Sequence, residues 1–174
     1  MAGMGSLART DVLRMTTPTP LDKEELRRRL PEIEAELRLL AAHHASGHTQ
    51  PLAKALRGVF DKLFVDKHSS RDRVQFFLFV APVMRRLTIE LGRSSAVSGT
   101  LNLNALELEQ WLLRLESFDP ECALMIDLRY FAGLTIRETA NALGLSPQAV
   151  IRDLRFAKAW LQARVRWVGE RREP

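Results

Sequence analysis

Four side chains with hydrogen-bonding or charged ends, Gln148, Arg152, Arg155 and Lys158, follow a Ser146-Pro147 pair at spacings that a helix would bring to one side. Their chemistry is that of nucleic-acid recognition. A glutamine amide pairs with adenine through two hydrogen bonds and a guanidinium with guanine, each worth about 1–3 kcal/mol of discrimination between bases. Such readers work only if a helix presents them, and Val150, Leu154, Ala157 and Leu161 supply a stripe that would bury its other side. Gln148, Ala149, Arg152, Asp153 and Arg155 are then left on or near the face that a major groove would meet. Upstream, Ile136, Thr139, Ala140 and Leu143 form the apolar face of a shorter helix behind a Thr135 cap with Glu138 three residues on. Gly144 ends that helix by taking a left-handed conformation, Leu145 turns back toward the core, and Ser146 caps the next helix with Pro147 at its first position. The pattern is a helix-turn-helix. A packing unit with merely solvated arginines is the rival reading, and the coincidence of cap, turn, small Ala140 and basic second helix favours DNA.

The rest of the composition agrees with a polyanionic partner. The 174 residues carry a formal net charge of +5 and a pI near 10.0, and 46% apolar content suffices for one compact domain or two small ones. No apolar run approaches the length of a membrane span, and residues 1–20 lack a secretory core, so they are expected to be a flexible tail and the protein to be cytoplasmic. The lone Cys122, among Ala123, Leu124, Met125 and Ile126, excludes an internal disulfide and is expected to be a buried, inert thiol. His43, His44 and His48 have no second cluster at ligand spacing, so no metal is expected. Neither a phosphate-cradling glycine loop nor a dinucleotide fingerprint is present, and no nucleophile and base can be paired from sequence order, so no cofactor and no enzymatic activity are expected. Trp111 and Trp160 lie on apolar helical faces as core residues, whereas Trp167 among Arg164, Arg166 and Arg171 is open to either reading.

Periodicity predicts helices throughout. Leu26, Leu30, Ile33, Leu37 and Leu40 line one side of residues 22–44, with Pro31 as a break or restart; Leu52, Leu56, Val59, Phe60 and Leu63 mark a second helix after a turn-rich stretch. A third, from about Asp72 to Leu91, carries Phe76, Phe77, Phe79, Val80, Val83, Met84, Leu87 and Ile89 around much of its circumference and is expected to be central, with a kink at Pro82. Gly92 to Asn104 reads as a linker. Beyond it Leu106, Leu108, Trp111, Leu112 and Leu115 begin one helix, and Phe118-Asp119-Pro120 starts another that runs through Tyr130. No strand pattern occurs, so the expected fold class is all-α: two small helical domains joined by a flexible linker, the second a four-helix domain containing the helix-turn-helix. The expected bounds are 21–93 for the first domain, 94–104 for the linker, 105–168 for the second domain and 169–174 for a terminal tail.

These residues resemble the extracytoplasmic-function (ECF) group of bacterial RNA polymerase sigma factors. The resemblance is carried by Phe118-Asp119-Pro120, by the run Asp127-Leu128-Arg129-Tyr130-Phe131-Ala132-Gly133-Leu134-Thr135-Ile136-Arg137-Glu138, and by Arg152-Asp153-Leu154-Arg155-Phe156-Ala157-Lys158-Ala159-Trp160-Leu161. In the first domain Gly47-His48-Thr49, Gln50-Pro51, Phe76-Phe77 and Met84-Arg85-Arg86 follow the order and spacing of that group's promoter-melting domain. The resemblance implies that the first domain docks on core polymerase and holds melted DNA while the second reads the upstream promoter element in duplex form. It places Ser146, Gln148, Ala149, Ile151, Arg152, Arg155 and Lys158 at the upstream element, and Arg85, Arg86 and Arg93 at the phosphates of the melted element.

The sequence departs from the group where core polymerase is met. The helix over 52–66 carries exposed acids in the group, but here the corresponding surface is Lys54, Arg57, Gly58, Asp61 and Lys62, with Asp61 its sole acid before Asp66. Attraction would become repulsion against a basic partner surface. A common recognition-helix lysine is replaced by Ile151, which can meet a thymine methyl but cannot neutralise a phosphate. Phosphorylation at Thr49, Ser69 or Ser70, flanking this helix, would supply the missing negative charge, and a Ser/Thr kinase is then a partner. The expected function is an ECF-type sigma factor with promoter DNA and core RNA polymerase as partners and an anti-sigma factor as a further candidate. The alternative is a sigma-derived regulator that binds DNA or protein without initiating transcription.

Overall fold

The computed structural model describes residues 20–45, 52–67, 69–95 and 102–170. Helix α1 (Lys23–Arg28) starts where the Asp22 carboxylate accepts from the Glu25 N–H at 2.8 Å, with Glu24 and Glu25 in its first turn and Arg27 and Arg28 in its last. It stops at Arg29, and α2 (Leu30–Ala45) begins at once with Pro31 in its second position, where the missing N–H costs no helical bond. After residues 46–51, α3 (Leu52–Leu63) turns Ala53, Leu56, Val59 and Phe60 inward. The long α4 (Ser70–Ser95) runs through Pro82 as one element, and Phe76, Val80, Met84 and Leu87 on it are fully buried. Its start is fixed by Asp72, whose carboxylate accepts from the Ser69 hydroxyl and from the Leu21 N–H, each at 2.6 Å. Burial opposes the charge on Asp72, but these bonds outweigh it and hold the carboxyl below its ordinary range.

The second half begins with α5 (Asn102–Phe118), then α6 (Pro120–Ile126), capped by the Asp119 carboxylate accepting from Cys122 N–H at 3.0 Å. At Asp127–Phe131 the winding widens to a π-helical turn, closed by Ala132 N–H donating to Asp127 C=O at 2.9 Å. Helices α7 (Ile136–Leu143) and α8 (Pro147–Glu170) follow. The fold is all-α, with no strand among the described residues. Among the described residues no helix is long and apolar enough to cross a membrane.

Two apolar cores result. The first joins Leu26, Ile33, Leu37, Leu56, Phe60, Phe76, Val80, Met84 and Leu87, with the ring of Phe76 lying 5.3 Å from Phe60 and 5.9 Å from Phe64. The second joins Leu112, Leu115, Cys122, Ala123, Met125, Ile126, Ala140, Val150, Leu154 and Ala157. They are not independent. Leu128, Ala132 and Leu134 belong to the first core although they stand in the second half, and Ile89 of α4 belongs to the second. Cys122, Ala123, Met125 and Ile126 of α6 enter the second core, while Leu124 packs against the first. Helix α4 also extends to Ser95 and α5 starts at Asn102, so both ends of the stretch expected to be a linker are helical, leaving 96–101 outside the described residues.

Candidate nucleic-acid interface

Local chemistry builds the α7–α8 pair. Thr135 Oγ1 accepts from Glu138 N–H at 3.2 Å while Glu138 Oε2 accepts from Thr135 N–H at 2.8 Å, a reciprocal capping box. Burial opposes the charge on Glu138, and the Thr135 bonds together with Arg57 overcome it, so its carboxyl lies below the usual range. Thr139, on the apolar face, is fully buried and donates its hydroxyl to Thr135 C=O at 2.9 Å. Gly144 closes α7 at φ +68°, and Leu145 N–H reaches back to Ala140 C=O at 2.9 Å. Ser146 then caps α8 by accepting from Ala149 N–H at 3.1 Å.

Helix α8 buries Val150, Leu154 and Ala157 and leaves Gln148, Ile151, Arg152, Arg155 and Lys158 exposed, with Ala149 half-buried beside them. The sequence-expected readers thus share one exposed face. Ser146 is exposed too, with its oxygen occupied by the cap. Arg152 is not idle: its Nε and one terminal nitrogen donate to the two carboxylate oxygens of Asp153 at 2.7 and 3.1 Å, which also reinforces its positive charge. Phe156, 55% exposed, lies four residues beyond Arg152 on this surface; its aromatic identity in an otherwise charged stretch was the available signal.

The candidates of the first half are placed differently. Arg85 is only 8% exposed and points across to the second half, where it meets Glu116 at 2.6 Å and Asp127 at 3.2 Å. Arg86 is exposed and pairs with Glu34 on α2. The side chain of Arg93 lies outside the described residues. On the expected polymerase surface Lys54, Gly58, Asp61 and Lys62 are exposed; Asp61 meets Arg73 at 3.7 Å and Lys62 meets Glu36 at 2.6 Å, while Arg57 pairs with Glu138 of α7. Thr49 lies outside the described residues, as does the whole stretch from Gly47 to Pro51. Ser69 is engaged as the α4 cap, so a phosphate there would face the carboxylate of Asp72, whereas Ser70 is exposed in the first position of the helix.

What sequence reasoning missed is the set of acids facing Arg85. Burial pushes the Asp127 carboxyl up to about 7, with Arg85 pulling it down and Glu116 pushing it further up. Cys122 is buried as expected, and burial, with Asp119, Asp153 and Glu121 nearby, raises its thiol to about 11, which leaves it protonated and unreactive. Trp111 and Trp160 meet edge to face at 5.9 Å, with the Arg164 guanidinium 3.8 Å from the Trp160 ring; they fasten α5 to α8. Trp167 lies outside the described side chains.

The described residues thus place two capped helices around a left-handed glycine, the second with a basic exposed face. Residues 97–167, which include all of α5 to α7 and most of α8, match the family model described as ECF sigma factor. Over these residues the chain is similar to that family, whose members are transcription factors that bind core RNA polymerase and promoter DNA. No curated protein and no solved structure matches the chain.

Proposed function

We propose that the chain is an ECF-type sigma factor that recruits core RNA polymerase and directs promoter-specific initiation, with α8 reading the upstream element in the major groove. The supporting observation is the single exposed face on which Gln148, Arg152, Arg155 and Lys158 stand, opposite the buried stripe of Val150, Leu154 and Ala157. Gln148, Arg152 and Arg155 read the upstream element, with Lys158 beside them on the same face. In the first half Arg85, Arg86 and Arg93 hold the melted strand and the surface around Arg57 and Gly58 meets polymerase.

A second reading, a sigma-derived regulator that does not initiate, draws on the basic character of α3. Purified protein is titrated against core RNA polymerase beside a Gly58→Glu variant. A Cβ at Gly58 meets nothing within 4 Å, and a glutamate there precedes Lys62 by four residues, a pairing that supports the helix by about 0.3–0.5 kcal/mol. Tight wild-type binding supports the sigma reading without further charge. Binding by the variant alone points to a conditional supply of charge, such as phosphorylation of Thr49, Ser69 or Ser70 by a Ser/Thr kinase. Absence of binding in both favours the regulator.

A further inference from the structure

The two halves meet along a seam that is apolar at its centre and ionic at its edges. Leu128 and Ala132 have no exposed surface and Leu134 is 3% exposed, all three packed into the core made by α1 to α4. Gly133 approaches so closely that a Cβ on it would lie 3.2 Å from Leu52 Cβ and from Ala53 N. At one edge Arg85 is buried against Asp127 and also meets Glu116, whose side chain is half exposed; at the other Arg57 pairs with Glu138. Around the second pair lies a cavity of about 520 Å³ lined by Arg57, Arg71, Phe77, Leu134, Glu138 and Asn141. Water therefore reaches Arg57 and Glu138, which are 41% and 35% exposed, and a pair so placed contributes little to holding the seam. The apolar centre and the buried Arg85–Asp127 pair hold the seam.

The consequence for nucleic acid is asymmetric. On α8 the readers Gln148, Arg152, Arg155 and Lys158 face solvent with the seam closed, whereas Arg85 is covered and its guanidinium spans two carboxylates. A guanidinium recognises a carboxylate and a phosphate with the same planar fork of donors, so Glu116 and Asp127 stand where strand phosphates would otherwise be held.

We propose that the surface formed by Glu116 and by Asp127 to Leu134 is an internal occupant of the single-strand-binding face of the first half, so that the chain rests in a closed state that reads duplex DNA but holds a melted strand only after the seam opens. This rests on the assignment of Arg85 to melted DNA made under the proposed function. The occupant is the chain's own segment, and the external competitor is a single-stranded polyanion. Closure and strand binding exclude each other because they use the same guanidinium.

The test is an Ala132→Glu variant. Burying an unpaired carboxylate in the first core opposes closure, whereas the same residue is solvated once the seam is open. The substitution makes the protein one charge more negative, which by itself weakens binding to DNA. Two quantities are read: hydrogen exchange of the backbone amides from 128 to 134, and anisotropy of a short fluorescein-labelled single-stranded oligonucleotide. Faster exchange together with a tenfold or greater gain in strand affinity is expected. Unchanged exchange and unchanged affinity would overturn the seam as a gate. Faster exchange without a gain would overturn the assignment of Arg85 to the strand, and the proposal with it. Leu134→Gln, neutral and at the same seam, takes the place of Ala132→Glu where the latter fails to fold, and the same outcomes apply to it.

Discussion

Replacing Asp127 by asparagine should flatten the pH dependence of stability between about pH 4 and 7. The Asp127 carboxyl is raised from an ordinary 3.8 to about 7, with burial as the largest cause, Arg85 opposing it and Glu116 adding to it. A group raised on folding contributes stability that is complete below its unfolded value and is lost as pH rises through its folded value. The window is therefore pH 3.8 to 7, and within it the loss approaches about 1.4 kcal/mol per pH unit for one proton, on the order of 4 kcal/mol in total. Asp72 and Glu138, both held below their ordinary values, act in the opposite sense, and their contributions are lost only as pH falls below about 4.5. Between pH 5 and 7 Asp127 dominates among these three. Asparagine keeps the shape of the protonated acid and leaves Glu116 in contact with Arg85. Urea unfolding followed by circular dichroism at pH 5, 6, 7 and 8 is the assay. The wild type should lose stability from pH 5 to 7 and level off, while Asp127→Asn stays nearly flat and becomes the more stable of the two at pH 8. Parallel curves for the two proteins would refute the placement of Asp127 in a dry seam.

Gly133→Ala and Gly144→Ala make a matched pair, since both glycines have left-handed φ, +72° and +68°, and pay similar backbone strain of about 1–2 kcal/mol. Only Gly133 has neighbours within van der Waals reach, so its substitution should cost about 1 kcal/mol more by thermal or urea unfolding, and equal losses would argue against the close approach to α3. Arg152→Ala should lower binding to a preferred upstream duplex by about 1–3 kcal/mol in a gel-shift or anisotropy titration if the residue reads a base, and should weaken all sequences alike if it touches phosphate. Indifference to that substitution would mean that α8 meets DNA through another face.

Much of the fold was legible because it is written in short-range pattern. The Thr135/Glu138 box, Gly144 and the Ser146-Pro147 start each depend on residues within three or four positions, and each forms as the sequence implies. The bounds of α4 and α5 were less legible, since the serines and asparagines from Gly92 to Asn104 suit loops and helix ends alike. The π-helical turn at 127–131 was invisible, for the one-residue change in winding leaves no mark on a 3.6-residue periodicity that is already interrupted by Tyr130 and Gly133. Hidden too was the burial of Arg85, whose acidic partners lie 31 and 42 residues away and therefore produce no local signal.

The two regions proposed to meet DNA share a device but differ in what releases it. Arg152 and Arg85 are both held by acids of the same chain, Arg152 by its neighbour Asp153 at the exposed surface, and Arg85 by Asp127 and Glu116 within the seam. At the surface the held pair is worth little, so an incoming base or phosphate exchanges with Asp153 without any movement of the backbone. Inside the seam the same exchange must expose Leu128, Ala132 and Leu134, and burying a leucine side chain is worth about 1.5–3 kcal/mol. On the proposed assignments, duplex contact by α8 meets a lower threshold than strand capture by Arg85. The proposal therefore predicts an order of events, with the upstream duplex engaged first and the melted strand held only once something else, such as polymerase, has drawn the halves apart.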